Sequence, residues 1–524
     1  MESNTKVDVC IVGAGFSGLL ATIKLRAKGL KSIRILEQAP ELGGTWYWNQ
    51  YPGVACDIES LSYLPLSHLP GYSPERYYSS GASILQFAKQ LSEHHNITEL
   101  INFNEKAVEA KFDVEHSKWT VKSSKGFTYE CKYLIFGKGP LSSPNELNFE
   151  GLESFKGVSL RTSRWDKSVD LRGKTVGVVG TGASAVQVIP EMAKIAQHLY
   201  VFQRTPTYCF PRNDRPIEKT LRREIETKGE SFTQKFRIEQ NEYADFSLYE
   251  LFNNERENER TQSRTAEILR ARISNPEVAE ALIPKYPLGC KRACITDDYW
   301  KTFNRDNVTL VADPEGVKSV TESGVLTGSG CSVDLDAIVW ATGFDVAEGY
   351  FKDTTVIGVN KKDLKEEWSE SGIHSLFGMM VNGFPNMFVL LGPQGFNGHA
   401  NACEIIEVQT DWVAHVISAC DKDDGSGFPL LIHPTQEGER AWVENCNRLA
   451  RSSVWSKCSN WYNGNGKGVV TYTGRWCDYV KALCANTSTC LEAYSVAEQS
   501  AAPFDCPTFN VSTAKLPLKL RSKI

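Results

Sequence analysis

Two short runs of small residues have the types and spacing to hold a diphosphate. The first reads Gly13-Ala14-Gly15-Phe16-Ser17-Gly18, after the apolar stretch Val7-Asp8-Val9-Cys10-Ile11-Val12 and before Leu19-Leu20-Ala21-Thr22-Ile23-Lys24-Leu25, which has helical periodicity. Strand, turn and helix in that order give each glycine a task. One permits the tight bend, one lets backbone approach a pyrophosphate, and one lets the helix pack on the strand, while the helix N-terminus attracts the phosphate charge. A second strand, Ser32-Ile33-Arg34-Ile35-Leu36, ends at Glu37, nineteen residues after Gly18. A carboxylate there accepts hydrogen bonds from ribose hydroxyls.

The pattern returns downstream. Lys174-Thr175-Val176-Gly177-Val178-Val179 leads into Gly180-Thr181-Gly182-Ala183-Ser184-Ala185 and a helix through Val186-Gln187-Val188-Ile189. The strand that follows, His198-Leu199-Tyr200-Val201-Phe202, ends in Gln203 instead of an acid, with Arg204-Thr205 next. A guanidinium and a hydroxyl in place of a carboxylate suit a ribose carrying a 2'-phosphate, so NADPH is expected here. One unit for an unsubstituted ribose and one for NADPH fit a flavoprotein that binds FAD in the first. Ser17 and Ser184 lie in glycine turns and not in the Gly-x-Ser-x-Gly elbow of a serine hydrolase.

Further strands must return to complete these units. Tyr133-Leu134-Ile135-Phe136 before Gly137, Ala337-Ile338-Val339-Trp340 before Ala341-Thr342-Gly343, and Asn386-Met387-Phe388-Val389-Leu390-Leu391 before Gly392-Pro393 are apolar runs ending in small residues. The expected fold is α/β, with two Rossmann-like dinucleotide-binding domains, the second inserted in the first, and a helical elaboration. The expected boundaries are 1–150 for the first part of the FAD domain, 151–211 with 291–340 for the NADP domain, and 212–290 for the helical insertion. Residues 341–484 form the second part of the FAD domain with the substrate loops, and 485–524 a tail.

Composition sets the outer limits. A chain of 524 residues exceeds the size of one core. A charged fraction of 23% and a net charge of -5 lack the basic excess of a nucleic-acid binder. No transmembrane segment is expected, since no apolar run reaches bilayer length, and the polar start leaves no room for a secretory signal. The 15 cysteines are scattered without such a signal, so reduced thiols and a cytoplasmic location are expected. Their spacings match no zinc site, and no metal is expected. The ending Ser522-Lys523-Ile524 is a weak form of the peroxisomal Ser-Lys-Leu signal in a segment made basic by Lys515, Lys519 and Arg521. No protein partner is inferred.

Two stretches then carry a specific resemblance. One is Gly43-Gly44-Thr45-Trp46-Tyr47-Trp48-Asn49-Gln50-Tyr51-Pro52-Gly53-Val54-Ala55-Cys56-Asp57, an aromatic, glycine-rich loop. The other is Phe155-Lys156-Gly157-Val158-Ser159-Leu160-Arg161-Thr162-Ser163-Arg164-Trp165-Asp166. The first resembles the flavin-contacting loop of Baeyer-Villiger monooxygenases. The second resembles their signature Phe-x-Gly-x-x-x-His-x-x-x-Trp-Pro/Asp, with Arg161 in the place of the histidine. The resemblance continues through Lys291-Arg292, Ala341-Thr342-Gly343-Phe344-Asp345 and Asn460-Trp461-Tyr462.

The resemblance implies that NADPH reduces FAD, that O2 forms a flavin C4a-peroxide, and that this attacks a small-molecule ketone to give an ester or lactone. It implies Arg292 as the central catalytic residue, with Asp57 holding its guanidinium. Contacts to FAD are implied for Gly13, Gly15, Gly18, Glu37, Gly44, Thr45, Trp46, Tyr47, Trp48, Asp57, Tyr63 and Ala107. Contacts to NADP are implied for Gly180, Thr181, Gly182, Ala183, Ser184, Ala185, Gln187, Arg204, Thr205, Lys291, Arg292 and Trp461. Pocket walls are expected from the helical insertion and from Gln394-Gly395-Phe396-Asn397-Gly398-His399. Three residues depart from the family pattern. Arg161 cannot lose its charge with pH as histidine does, and Gln50 and Ala55 stand where many relatives carry arginine. The alternatives are oxygenation of nitrogen or sulfur, and an NADPH oxidase in which reduction is uncoupled from oxygenation.

Overall fold

The computed structural model describes residues 4–66, 69, 72–346, 349–398, 400–420, 431–458 and 469–494, with backbone alone at 360, 485–489 and 491–494. The first strand, β1 (Asn4–Val12), is exposed at its start and fully buried over its last residues. That gradient places its C-terminal end, and the turn after it, at the centre of the molecule. It runs parallel to β2 (Ile33–Leu36), which pairs in turn with β3 (Ile101–Asn102). The hairpin strands β4 (Ala107–Asp113) and β5 (Lys118–Ser123) follow, and β5 lies antiparallel to the first half of β6 (Thr128–Phe136). β6 returns parallel to β1, and the later strand Met387–Val389 pairs parallel with its second half.

Helix α1 (Phe16–Ala27) follows the first glycine turn and buries Leu19, Leu20 and Leu25 against this sheet. A one-turn helix, α2 (Thr45–Trp48), and another, α3 (Ser60–Tyr63), shape the aromatic loop. Helix α4 (Gly81–His94) begins where the Ser80 side chain accepts the amide of Ser83, and it buries Ile84, Phe87, Ala88 and Leu91. That is an N-cap followed by one apolar stripe at helical spacing.

The second sheet is wholly parallel, which requires crossovers that cover both faces. Its strands are β7 (Val158–Arg161), β8 (Thr175–Val179) and β9 (His198–Gln203), and α5 (Ala183–Ile195) links the last two. The short strand β10 (Cys209–Phe210) leads to the helices α6 (Lys219–Asn253), α7 (Glu255–Arg272) and α8 (Pro276–Leu282). The chain leaves helical geometry inside α6 at Gly229, whose φ is 60°. Helix α7 is capped by Asn254, starts with Glu255 and Glu257, and ends with Arg270 and Arg272, so its charges complement the helix dipole. Strand β11 (Cys294–Ile295) pairs parallel with β10. β12 (Val308–Ala312) joins the edge beyond β9. After the antiparallel strands β13 (Val317–Val320), β14 (Gly324–Thr327) and β15 (Ser332–Asp334), the strand β16 (Ala337–Trp340) enters between β8 and β7. The fold is therefore α/β with two Rossmann-like units and a helical insertion.

One expectation about cysteines is corrected. Cys290 and Cys458 form a disulfide across 168 positions of sequence, whereas reduced thiols were expected throughout. The expectation rested on compartment and on near spacing, and neither reaches a pairing this distant. Among the described residues no helix is long and apolar enough to cross a membrane. No group of three or more His, Cys, Asp or Glu there is placed to hold a metal ion. The C-terminal tripeptide lies outside the described residues.

Candidate active site

The two glycine turns are built alike. Gly13 has φ of +105°, and a Cβ on it would lie 2.8 Å from the carbonyl oxygen of Gly137 at the end of β6. Gly180 has φ of +118°, and its Cβ would lie 2.4 Å from the carbonyl oxygen of Ala341 at the end of β16. Each first glycine is thus pressed against the end of the neighbouring strand, in a conformation that side chains avoid. A Cβ on Gly18 would lie 2.0 Å from the oxygen of Gly13, whereas Gly182 has nothing within 4 Å and leaves open space where a diphosphate approaches. Gly15 and Gly44 face each other, since a Cβ on Gly44 would lie 3.0 Å from the Gly15 Cα.

Glu37 ends β2 as expected of a ribose ligand. Its Oε2 accepts the amide of Ala14 at 2.7 Å and its Oε1 that of Ala39 at 2.8 Å. Burial pushes its carboxyl above the usual glutamate range, and these backbone donors oppose the shift. Each oxygen can accept a further hydrogen bond, which leaves capacity for ribose hydroxyls. Ala107 is buried at the start of β4, and its carbonyl accepts the hydroxyl of Thr354 at 3.0 Å. Trp46 and Tyr63 form the floor of the aromatic loop, where the indole donates to the phenol oxygen at 3.0 Å with the rings edge to face. Tyr63 also meets Phe16 of α1 edge to face, so loop and first turn share one packed base.

At the second turn the Thr181 hydroxyl donates to the Thr205 carbonyl at 2.6 Å. Lys291 is held below the usual lysine range, first by burial and then by the nearby Arg204. Two cations brought together past a strand that ends in Gln203 are suited to a phosphate dianion. Trp461 lies outside the described residues, as does His399.

Between the two turns, Arg292 Nη2 lies 3.4 Å from Asp57 Oδ2. The elements around them fix both partners. The Trp455 indole donates to the Gly289 carbonyl at 2.7 Å and Asn258 Nδ2 to the Leu288 carbonyl at 2.7 Å, while β11 begins two residues after Arg292. Asp57 is steadied from α5 by Gln187, whose Nε2 donates to Asp57 Oδ1 at 3.4 Å and to the Ala55 carbonyl at 3.0 Å. Gln187 Oε1 accepts the Tyr51 hydroxyl at 2.8 Å and the Ala55 amide at 3.4 Å. Gln187, expected at the nicotinamide nucleotide, therefore has its amide committed to the aromatic loop. Ser184 hydrogen-bonds Tyr51 as well.

Burial, followed by the charge of Asp57, pushes the thiols of Cys56 and Cys294 up to about 12. Neither forms the thiolate that nucleophilic catalysis needs near neutral pH. The ion pair of the site is the Arg292 guanidinium with the Asp57 carboxylate.

The family described as pyridine nucleotide-disulphide oxidoreductase matches residues 10–248. A Baeyer-Villiger monooxygenase of Penicillium patulum is 33% identical, over 92% of this chain and 86% of its own length. The chain belongs to the Baeyer-Villiger monooxygenase family. Among solved structures, oxidized steroid monooxygenase bound to NADP is 30% identical with a TM-score of 0.84, over 93% of this chain and 99% of that one. OTEMO in complex with FAD and NADP is 28% identical with a TM-score of 0.86, over 94% and 100%.

The structure shows what surrounds the positions expected to depart from the family pattern. Arg161 ends β7, and its Nη2 donates to the Asn145 carbonyl at 2.5 Å. Asn145 binds Thr342 and Gly343, through its side chain at 2.9 Å and its amide at 3.1 Å. Arg161 thereby ties together both segments that cross between the domains. Gln50 donates to the Tyr47 carbonyl at 2.6 Å, within the loop. Two cations not singled out from sequence reach the same loop. The Arg164 guanidinium lies 3.5 Å from the centre of the Trp48 ring, and Arg212 Nη2 lies 3.5 Å from the Cys56 carbonyl. Arg164 falls inside the signature stretch, which was a usable sign. Arg212 is 156 positions from Cys56, and no spacing rule connects them.

Proposed function

We propose that this protein consumes NADPH and O2 and, with FAD, inserts one oxygen atom beside the carbonyl of a ketone, giving an ester or lactone. The observation that carries this is the Arg292–Asp57 pair, set between a turn suited to FAD and a turn suited to NADPH. The residues present fit both groups. Backbone blocks a Cβ at Gly13, Gly18 and Gly180, Gly182 leaves open space, Glu37 keeps acceptor capacity for an unsubstituted ribose, and Arg204 with Lys291 match a 2'-phosphate. When bound, FAD reduced by NADPH supplies the activated oxygen.

The chain's own residues do the rest. Gly13, Gly15, Gly18 and Gly44 hold the flavin nucleotide, with Trp46 and Tyr63 as an apolar base that keeps water away. Gly180, Gly182, Thr181, Arg204, Thr205 and Lys291 hold NADPH. Arg292 stays charged at every working pH and stabilises the oxyanion that develops on the ketone oxygen. Asp57 orients that guanidinium, and Gln187 holds Asp57. The test is product analysis of the FAD-loaded protein with NADPH and a panel of cyclic ketones beside thioethers. Esters or lactones support the proposal. Sulfoxides alone would move the activity to heteroatom oxygenation, and hydrogen peroxide alone to an oxidase.

A further inference from the structure

A tight turn, Arg161-Thr162-Ser163-Arg164, follows the end of β7. The Arg164 amide donates to the Arg161 carbonyl at 3.1 Å, and the two residues form an antiparallel bridge. Inside the turn, the Thr162 amide donates to the Trp340 carbonyl of β16 at 3.1 Å. Trp340 precedes Ala341, whose carbonyl faces Gly180. The turn is therefore anchored beside the strand end that shapes the second glycine turn, and Arg161 anchors it again on Asn145.

From this anchored turn Arg164 reaches the other domain. Its guanidinium carbon lies over the Trp48 ring, 3.5 Å from the centre, and its Nη1 donates to the Ser163 carbonyl at 2.8 Å. The second contact fixes the guanidinium to its own turn while the first holds the indole. A tryptophan face is the aromatic surface that attracts a cation most strongly, and a planar guanidinium stacks on it. Trp48 ends α2, the single helical turn that begins after Gly44, and Gly44 faces Gly15 of the first glycine turn. Tyr47 braces Trp48 edge to face at 5.0 Å. The Arg164–Trp48 contact thus completes a short path from Gly15 through Gly44 and α2 to Thr162, Trp340 and Gly180.

We propose that Arg164 is a positioning residue that, through Trp48, ties the loop at the first glycine turn to the strand end at the second, and so sets how the two bound nucleotides stand relative to each other. This rests on the reading that FAD occupies the first turn and NADPH the second. Each turn holds its own nucleotide, whereas electron transfer between the two depends on their mutual placement, where a small error is costly in rate. Arg164 takes no part in oxygen transfer.

The test mixes the full-length, FAD-loaded protein anaerobically with saturating NADPH and reads the limiting rate of flavin reduction in the parent, Arg164→Met, Arg164→Lys, Trp48→Leu and the double variant Arg164→Met with Trp48→Leu. Flavin content and Tm are read on the same samples. No ketone is present, so the result stands apart from the identity of the oxygenated substrate. Arg164→Met is expected to lower the limiting rate about tenfold at the parent's flavin content and Tm. Arg164→Lys keeps the charge without the planar face and should recover part of that rate. Adding Arg164→Met to Trp48→Leu should cost less than about twofold more, because the ring that the cation meets has already gone. A limiting rate in Arg164→Met within about twofold of the parent would overturn the proposal. So would an equal cost of Arg164→Met in the parent and in Trp48→Leu, or a rate in Arg164→Lys no higher than in Arg164→Met, the latter comparison needing no change at Trp48. A loss of rate matched by a lower Tm marks a merely structural role and would overturn it as well. A parent whose flavin NADPH does not reduce would instead remove the assignment of the two turns.

Discussion

A guanidinium beside a carboxylate keeps both its charge and its orientation, and at Arg292 the two are needed together. Arg292→Ala is expected to lower ketone oxygenation by about 100- to 1,000-fold with FAD still bound, as for other removed donors to a developing oxyanion. Arg292→Lys restores charge without the planar fork and should recover only part of the rate. Rapid-quench product formation reads both. Asp57 acts through Arg292, and the pair is partly exposed, so Asp57→Ala should cost about tenfold in rate. An unchanged rate in Arg292→Ala would remove it from the chemistry. At this scale the sequence stretches that resemble the family were enough to bring Asp57 and Arg292 forward, although they are 235 positions apart. Gln187 was placed in the right helix, but a helical address does not say which neighbour its amide meets. Arg164 and Arg212 stayed hidden because stacking on Trp48 and contact with Cys56 are facts of packing, which periodicity does not encode.

At the scale of elements, the two turns and the linker make separable predictions. Gly13→Ala forces a Cβ toward the Gly137 carbonyl, and Gly180→Ala forces one toward the Ala341 carbonyl. Backbone has little room to yield, and the left-handed conformation alone costs about 1–3 kcal/mol for a side chain. The first variant should be purified without flavin absorbance. The second should retain flavin but need at least tenfold more NADPH for half-maximal flavin reduction. Equal loss of both cofactors in either variant would contradict the separation of the two units. The linker carries the third prediction. Arg161→Ala releases Asn145 from β7 and should raise the fraction of NADPH electrons recovered as hydrogen peroxide, measured by catalase-corrected oxygen uptake. The turns were legible because glycine spacing reports backbone geometry directly. Arg161 was legible only as a departure, since its partner Asn145 belongs to a stretch with no motif of its own.

The whole molecule joins the two nucleotide units through segments that meet at Asn145, Thr342 and Gly343. The aromatic loop is clasped to α5 by Gln187, and a Cβ on Gly53 would lie 2.6 Å from the Gln187 carbonyl. The alternation of strand and helix, and the interruption by a helical stretch, could be read from apolar periodicity. The disulfide between Cys290 and Cys458 could not, because cysteine pairing over such a distance is decided by the folded chain. At this scale the central claim is that the assembled machine delivers oxygen to a ketone and not to solvent. The most direct measurement supplies the FAD-loaded protein with NADPH, 18O2 and a panel of monocyclic, bicyclic and steroidal ketones, and follows product mass against NADPH consumed. A lactone or ester carrying one 18O atom, formed in proportion to the NADPH consumed, is the predicted result. NADPH oxidation balanced by hydrogen peroxide across the whole panel, with no labelled ester or lactone, would contradict it.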